Sequence, residues 1–303
     1  MYKDHSITQN NSLSKNRYNE QNHRLHSTET TSHAKKSEST NGISLNSSFF
    51  LTDIDHSCLS HIQDAYLYAL QSNRSASSVI SLDESLNKTF SYIDLIEIEK
   101  FIPIKLISFL RLIPEFESLC DQDRFALIKY NFLPLLILRD ALIFDLNSDL
   151  LYDDTGSISI SSKDEIFAQY HKSLNILFYG YKATQEYLSI LRSIVNIIDN
   201  DRLIIQILML VLIFLKGVSI NDEQIWILFD PQNVLNAHLK YVDLLFRYLT
   251  DRFSFDIAVI KMIRLISDLF KVQKNAQDYR EKLKKQDKII ELDPLMKSLI
   301  GVT

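Results

Sequence analysis

Apolar residues recur with helical periodicity along most of the chain. The first apolar face is formed by Leu59, Ile62, Tyr66 and Leu70. Because three or four residues separate neighbouring members of this set, they fall on one side of an α-helix. The same periodicity predicts helices over residues 92–113, 125–144, 164–179, 184–198, 202–216 and 254–285, and a short one over 293–300. Helices therefore account for most of the chain after residue 48.

Capping residues mark several of the helix boundaries. Asp230 is followed by Pro231, which predicts an N-cap and a first helical residue. Asn221 is a second candidate N-cap. Asp199 and Asp201 fall in a turn between two predicted helices, where capping explains both acids without general acid–base chemistry.

One segment favours β structure. Within residues 150–162, an Asp-Asp-Thr-Gly turn precedes Ile158 and Ile160, which alternate with serines. The 303 residues contain only five glycines and five prolines, too few for a turn-rich β fold. The sequence therefore predicts an all-α fold of about ten to twelve helices with one small β-hairpin.

The chain divides by composition into a tail and a globular domain. Residues 1–47 are mostly Ser, Asn, Thr, His and Lys, with almost no large apolar groups. Such a segment buries too little surface to offset its ordering entropy, so we predict a disordered tail. Residues 48–303 are predicted to form the folded domain.

The most apolar run covers residues 203–215, between Arg202 and Lys216. A helix needs about twenty apolar residues to cross a bilayer, and this run is shorter. We interpret it as a helix that is buried on all sides and expect no membrane partner.

Charge and cysteine content narrow the function. The net charge of −5 predicts no broad basic surface for nucleic acid. The two cysteines, Cys58 and Cys120, show no zinc-site spacing, so we expect no metal and a reduced intracellular setting. The sequence lacks a Gly-rich phosphate loop and the hydrolase and zinc-protease motifs. His171 and His238 are interpreted as surface or satisfied core residues, so we predict neither an enzyme nor a cofactor.

The most specific motif lies in residues 106–130, LISFLRLIPEFESLCDQDRFALIKY. Phe-Leu-Arg is followed by Pro-x-Phe-x-x-Leu, then by Asp-Arg and Leu-Ile-Lys. This order and spacing resemble the segment that joins the third and fourth helices in the ligand-binding domain of nuclear receptors. Arg111 stands where that family usually has Lys, and Arg124 stands where it usually has Gln.

Five other segments resemble the same domain in the same order. Residues 51–70 resemble the first helix of the vitamin D, bile-acid and oxysterol receptor group, and residues 137–140 resemble the fifth helix. Residues 189–214 resemble the seventh and eighth helices, residues 260–270 the dimerisation helix, and residues 294–300 the final activation helix. The resemblance implies a three-layer helical sandwich of the nuclear-receptor ligand-binding type.

The resemblance also implies a groove for coregulator peptides. In the family, two cations flank an apolar groove that binds a short amphipathic helix, and the last helix closes it. The corresponding residues are Arg111, Lys129, Leu295, Met296, Ser298 and Leu299. Ser298 stands where activating receptors place Glu, so we expect weak activation and a bias toward corepressors. Snorkelling side chains on a solvated helix edge are the alternative for the two cations.

A pocket for a small lipophilic ligand is a further implication. Its expected lining is Phe101, Lys105, Ser108, Leu135, Leu138, Arg139, Ile158 and Lys274. A buried Arg139 needs an anionic or polar partner, which is either a ligand or an acid of the chain. Asp140 is adjacent in sequence but is expected to point elsewhere on the helix. The high content of large apolar residues leaves a filled core without ligand open.

The dimerisation segment suggests a homodimer or a nuclear-receptor heterodimer. Its expected interface residues are Ile260, Ile263, Leu265, Ile266 and Leu269. The family's zinc module needs eight cysteines and this chain has two, so we expect no direct contact with DNA. The resemblance thus implies a regulator of transcription in the nucleus, with the cytoplasm as an additional location. A ligand-independent scaffold or a lipid carrier that has lost coregulator binding is the alternative.

Overall fold

In a computed structural model, the described residues are 50–72, 101–152, 162–215, 227–285 and 294–300. They form an all-α fold with one small antiparallel hairpin. Within the described ranges the ten helices are α1 (Asp53–Ser72), α2 (Phe101–Arg111), α3 (Pro114–Glu117), α4 (Asp121–Ile143), α5 (Ser162–Tyr179), α6 (Tyr181–Ile198), α7 (Arg202–Ile213), α8 (Pro231–Phe253), α9 (Phe255–Lys284) and α10 (Pro294–Ile300). The strands are β1 (Phe144–Asp145) and β2 (Leu150–Leu151). All of these elements belong to one compact unit, Ser44–Thr303.

Helix α4 lies at the centre of the folded part. It contacts α2, α6, α7, α9 and α10, and its buried residues occur on most sides of the helix. Pro134 lies inside α4, which continues past it to Ile143. A helix that is apolar nearly all round is stable only when neighbours cover every side, which explains why so many elements contact α4.

Helix α7 is the most completely buried element that the structure describes. Every residue from Leu203 to Ile213 is buried, which confirms the prediction from the apolar run. The amide nitrogen of Asn131 on α4 donates to the carbonyl oxygens of Ile213 and Leu215, both at 3.1 Å. These bonds satisfy carbonyls that the end of α7 leaves without helical partners. No described helix is both long enough and apolar enough to span a membrane.

The helix caps agree with the sequence. The side chain of Asp230 accepts a hydrogen bond from the backbone N–H of Asn233 at 3.1 Å, and Pro231 occupies the first turn. The side chain of Asp201 accepts from the N–H of Leu203 at 3.2 Å and so caps α7. Both capping predictions are confirmed, whereas Asn221 lies outside the described residues.

The prediction of one small hairpin is confirmed, and its strands lie earlier in the chain than the Asp-Asp-Thr-Gly segment. Phe144 pairs with Leu151 in the two strands, so the turn precedes the predicted Asp-Asp-Thr-Gly turn. The Asp145 carboxylate accepts from the N–H and the hydroxyl of Ser148, and Asp149 adopts a left-handed conformation with φ of 55°. Side-chain bonds of this kind favour a tight turn, and Asp tolerates positive φ better than most residues. Ile158 and the predicted turn lie outside the described residues.

Candidate functional site

The break between α2 and α4 holds Arg111 at the surface. Ile113 and Phe116 on either side of Pro114 are buried, and they fix the short helix α3 against the core. The side chain of Arg111, the last residue of α2, is 67% exposed. Its Nη2 lies 3.7 Å from Oε1 of Glu117, which exceeds hydrogen-bond length. Arg111 therefore presents most of its guanidinium to solvent.

The guanidinium of Arg124 lies closer to the Glu117 carboxylate than that of Arg111 does. Nη1 of Arg124 lies 2.7 Å from Oε2 of Glu117, and its Nη2 pairs with Asp121. The hydrogen bond from Arg124 is the main cause that lowers the pKa of the Glu117 carboxyl, and the charges of Arg124 and Arg111 add to it. Arg124, the second departure from the family motif, thus ties α3 to the start of α4.

A second network fixes α3 from the other side. The Glu115 carboxylate accepts hydrogen bonds from the ammonium of Lys240 and the hydroxyl of Tyr241, both on α8. Burial by itself raises the pKa of Glu115. The two hydrogen bonds and the charge of Lys240 lower this pKa by more than burial raises it, so the net pKa lies below the ordinary value. The sequence offered no signal for this pairing, because the partners are far apart in the chain.

Lys129 lies two turns into α4. Its side chain is half-buried, and its Nζ stands 6.0 Å from the centroid of the Phe125 ring. The backbone carbonyl of Lys129 accepts from Nη2 of Arg280 at 3.3 Å, which connects α9 to α4 at this residue. Lys129 therefore lies on a part of α4 that is held from the side of α9.

The last helix, α10, packs on α4. Met296 and Leu299 are buried, whereas Leu295 is 40% exposed and Ser298 is half-buried. Because positions three apart share one face of a helix, Met296 and Leu299 form the side of α10 that faces the core. The predicted groove residues accordingly lie on α4 itself and on two helices that contact it, α2 and α10.

Among the described residues, those expected to line a ligand pocket leave little open space. Leu135 and Leu138 are buried in the core, and Ser108 is half-buried. Lys105 and Arg139 line a cavity of about 10 Å³ together with residues of α1 and α2. A cavity of this size has room for about one water molecule. The side chain of Phe101 and all of Ile158 lie outside the described residues.

Lys274 is exposed on α9 and does not line the cavity beside Arg139. Val272 and Ala276 are buried and take the inward positions of this turn. The assignment of Lys274 to a ligand pocket stays a prediction, since the Phe101 side chain and Ile158 of the same expected pocket lie outside the described residues.

Arg139 has an acid partner within the chain. Its Nη1 lies 3.2 Å from Oδ1 of Asp140, and both side chains are largely buried. Asp140 also accepts from the hydroxyl of Tyr187 on α6 at 2.7 Å. The prediction that Asp140 points away from Arg139 is wrong, because the long guanidinium arm reaches back along the helix to its neighbour.

The predicted dimer face on α9 is divided between surface and core. Ile260, Ile263 and Ile266 are exposed, as an interface requires. Leu265 and Leu269 are buried inside the chain, so their assignment to the interface is corrected. They share the inward stripe of α9 with Ala258, Val272 and Ala276, a helical spacing that was visible in the sequence.

Phe270 is an exposed apolar residue on α9 that the sequence prediction missed. With Ile260, Ile263 and Ile266 it forms what we term the α9 face. The hydrophobic pattern continues beyond Leu269, and this signal was enough to include Phe270.

No group of His, Cys, Asp and Glu side chains suitable for a metal ion occurs in the described ranges. Cys58 is half-buried and Cys120 exposed, and neither forms a disulfide. His171 contacts Asn175, and Nδ1 of His238 lies 3.0 Å from the carbonyl oxygen of Val211.

No family model and no curated protein matches the chain.

Proposed function

We propose that this chain is a nuclear-receptor-like regulator of transcription that binds coregulator helices between α2, α4 and α10. The observation that carries the proposal is the position of α10, which packs on α4 through Met296 and Leu299. In the family that the sequence resembles, the last helix forms one wall of the peptide groove. The proposal also rests on the order of the motifs along the chain.

The two cations give the groove its polarity. The carboxyl end of a docked helix presents unpaired carbonyls and a partial negative charge. Arg111 is available for this end, because most of its guanidinium faces solvent. Its planar guanidinium also offers more donors than the Lys that is usual in the family. Lys129 on α4 supplies the second cation.

Ser298 weakens the opposite end of the groove. A hydroxyl provides one hydrogen bond to the amino end of an activator peptide but no charge, which costs about 1–3 kcal/mol of binding free energy relative to a carboxylate. We therefore propose a repressive bias, because corepressor helices do not depend on the missing Glu.

Ligand control has less support than peptide binding. The cavity at Arg139 holds about one water molecule, and Arg139 is paired with Asp140. For the part of the expected pocket that the structure describes, these two observations favour the alternative of a ligand-independent scaffold over that of a lipid carrier. A constitutive groove is compatible with a filled core, so the same observations do not oppose coregulator binding.

Dimerisation completes the proposal. The α9 face presents Ile260, Ile263, Ile266 and Phe270, each at least 43% exposed. Exposed apolar patches of this kind mark interaction surfaces. The 303 residues hold two of the eight cysteines that the zinc module needs. We therefore propose that a partner carrying that module contacts the DNA. The nucleus is the proposed site of action.

The test is fluorescence-polarisation binding of Leu-x-x-Leu-Leu and corepressor peptides to the full chain. Arg111→Glu and Lys129→Glu are each expected to weaken binding at least about tenfold, because they place an acid against negative carbonyls. Lys182→Glu on α6 is the matched control, since its side chain is 92% exposed and lies outside the proposed groove.

The outcomes separate the two candidate functions. Binding that both groove variants reduce and the control preserves supports the regulator, and the preferred peptide gives the sign of regulation. Failure of both peptides to bind a chain whose circular dichroism shows folded helices contradicts the groove. That result leaves the ligand-independent scaffold.

A further inference from the structure

A second cavity lies between α5, α6 and α9 and shares no lining residue with the cavity beside Arg139. Its volume is about 60 Å³, and it is partly open to solvent. A cavity needs about 10–15 Å³ on this measure to hold one water molecule, so this cavity has room for a small polyatomic group. Its walls come from three helices, which contribute Tyr179, Tyr187 and Tyr279.

The three tyrosine rings are held in place by contacts inside the chain. The rings of Tyr179 and Tyr279 have centroids 4.5 Å apart and planes inclined by 37°. The hydroxyl of Tyr187 is tethered to Asp140 on α4 at 2.7 Å. A ligand that contacts these rings therefore meets a largely preformed surface, which reduces the entropy lost on binding.

The charged groups of the cavity favour a cation. Glu186, Asp278 and Lys282 line it, and Oε1 of Glu186 also lies 4.0 Å from Nζ of the exposed Lys182. Nζ of Lys282 donates to the backbone carbonyl of Tyr179 at 3.3 Å, at the carboxyl end of α5. The negative end of a helix is a favourable place for a cation, so this ammonium is engaged there. The charged lining residues are thus two acids and one lysine whose ammonium is already engaged, which favours a cationic ligand over an anionic one.

We propose that this cavity binds a methylated ammonium head group. Aromatic faces attract cations through the ring quadrupole, and aromatic cages of this type recognise quaternary ammonium groups. A methylated ammonium is bulky and weakly hydrated, so it gains more from tyrosine faces than a compact ammonium does. Glu186 and Asp278 supply the compensating charge and repel anionic ligands. This site shares no side chain with the coregulator groove and does not depend on it.

Isothermal titration calorimetry on the full chain tests the proposal with two probes. The first is choline, and the second is its neutral isostere in which a tert-butyl group replaces the trimethylammonium. Choline is expected to bind saturably and at least about tenfold more tightly than the isostere, because shape alone is the same in both. Equal binding of the two probes, or no saturable binding of choline, overturns the proposal.

Variants distinguish the site from nonspecific charge effects. Asp278→Asn and Tyr279→Leu are each expected to weaken choline binding about tenfold, whereas Tyr279→Phe keeps the ring and keeps the affinity. Asp256→Asn is the matched control, since Asp256 is also an exposed acid of α9 but does not line the cavity. Loss of affinity in Asp256→Asn as large as that in Asp278→Asn contradicts the assignment.

A peptide arm identifies the source of the head group. A trimethyl-lysine peptide and the same peptide with unmodified lysine are titrated beside choline. Stronger binding of the methylated peptide than of choline supports a methylated side chain as the natural ligand, and the reverse supports a free small molecule. Equal affinity for methylated and unmodified peptides overturns the requirement for methylation.

Discussion

The hydroxyl of Tyr187 on α6 lies 2.7 Å from the carboxylate of Asp140 on α4. The other oxygen of that carboxylate faces Nη1 of Arg139 at 3.2 Å. Asp140 therefore connects Arg139 with Tyr187, which lines the cavity between α5, α6 and α9. Asp140 is a structural partner for Arg139, which is one of the two alternatives that the sequence left open.

Asp140→Asn tests this structural role. The change keeps the size of the side chain but removes the charge that faces a guanidinium only 8% exposed. We expect the free energy of unfolding to fall by about 3 kcal/mol, because the largely buried Arg139 loses the charge of Asp140. Urea denaturation followed by circular dichroism measures the change.

Asp149→Asn provides the control for Asp140→Asn. Asp149 pairs with Arg192 at 2.6 Å, but both side chains are more than a third exposed. Asn also tolerates the left-handed backbone at this position. A loss of at most about 1 kcal/mol is expected for an exposed pair. Equal losses in the two variants would contradict a special role for the buried pair.

Glu115 gives the stability of the chain a dependence on acid pH. Burial raises the pKa of its carboxyl, but hydrogen bonds from Lys240 and Tyr241 lower it more, so the net pKa is below the ordinary 4.5. The unfolded chain therefore binds a proton at higher pH than the folded chain does. The stabilising contribution is complete above about pH 4.5 and is lost as the pH falls through the lower folded value.

Glu115→Gln removes this contribution. We expect the difference in free energy of unfolding between the parent chain and the variant to be largest near pH 7 and to shrink as the pH falls below about 4.5. Urea denaturation at a series of pH values from neutral to acid measures it. Tyr241→Phe removes one donor and is expected to reduce the pH dependence in the same direction. Parallel pH profiles for the parent and Glu115→Gln would show that the network does not hold this carboxylate.

Local patterns predicted the helices of this chain well. The apolar run of α7 was long enough to predict burial on all sides, and Asp230 with Pro231 marked the start of α8. These signals depend on neighbours within one or two helical turns, so the sequence alone is sufficient to find them.

Hydrogen bonds between residues far apart in the sequence could not be predicted from such local patterns. Both carboxylate oxygens of Asp123 accept backbone N–H groups, from Phe229 at 2.7 Å and Asp230 at 2.8 Å, more than a hundred residues away. Nothing near Asp123 in the sequence indicates these partners. The inward position of Leu265 is a different case, because the helical stripe was readable but an apolar face was assigned to the interface as a whole.

Ser298→Glu tests the proposed role of α10 in peptide binding. If Ser298 stands at the amino end of a bound peptide, a carboxylate there adds charge-assisted hydrogen bonds to exposed N–H groups. We expect Leu-x-x-Leu-Leu peptides to bind about tenfold more tightly, with little gain for corepressor peptides. Ser298→Gln has similar length without the charge and is expected to gain less. Unchanged affinity in Ser298→Glu would indicate that α10 does not contact the amino end of the peptide.

Ile263→Glu tests the α9 face as a dimer interface. Ile263 is 63% exposed, so a carboxylate at this position stays solvated in the monomer but is desolvated against an apolar partner surface. Sedimentation velocity is expected to show dimers for the parent chain and a dissociation constant at least about tenfold weaker for the variant. Leu239→Glu on α8, where Leu239 is 55% exposed, is expected to leave the dimer unchanged.

Leu265→Ala separates the interface from the core. Leu265 is fully buried, so its truncation is expected to lower the free energy of unfolding by about 2–5 kcal/mol. Because its side chain faces the core, the folded variant should dimerise like the parent chain. A parent chain that is monomeric at every concentration, or an Ile263→Glu variant that dimerises normally, contradicts a homodimer through this face. The proposed heterodimer with a nuclear receptor then remains as its use. Mixing the parent chain with such a partner then decides the question, since Ile263→Glu must weaken that complex if the α9 face forms it.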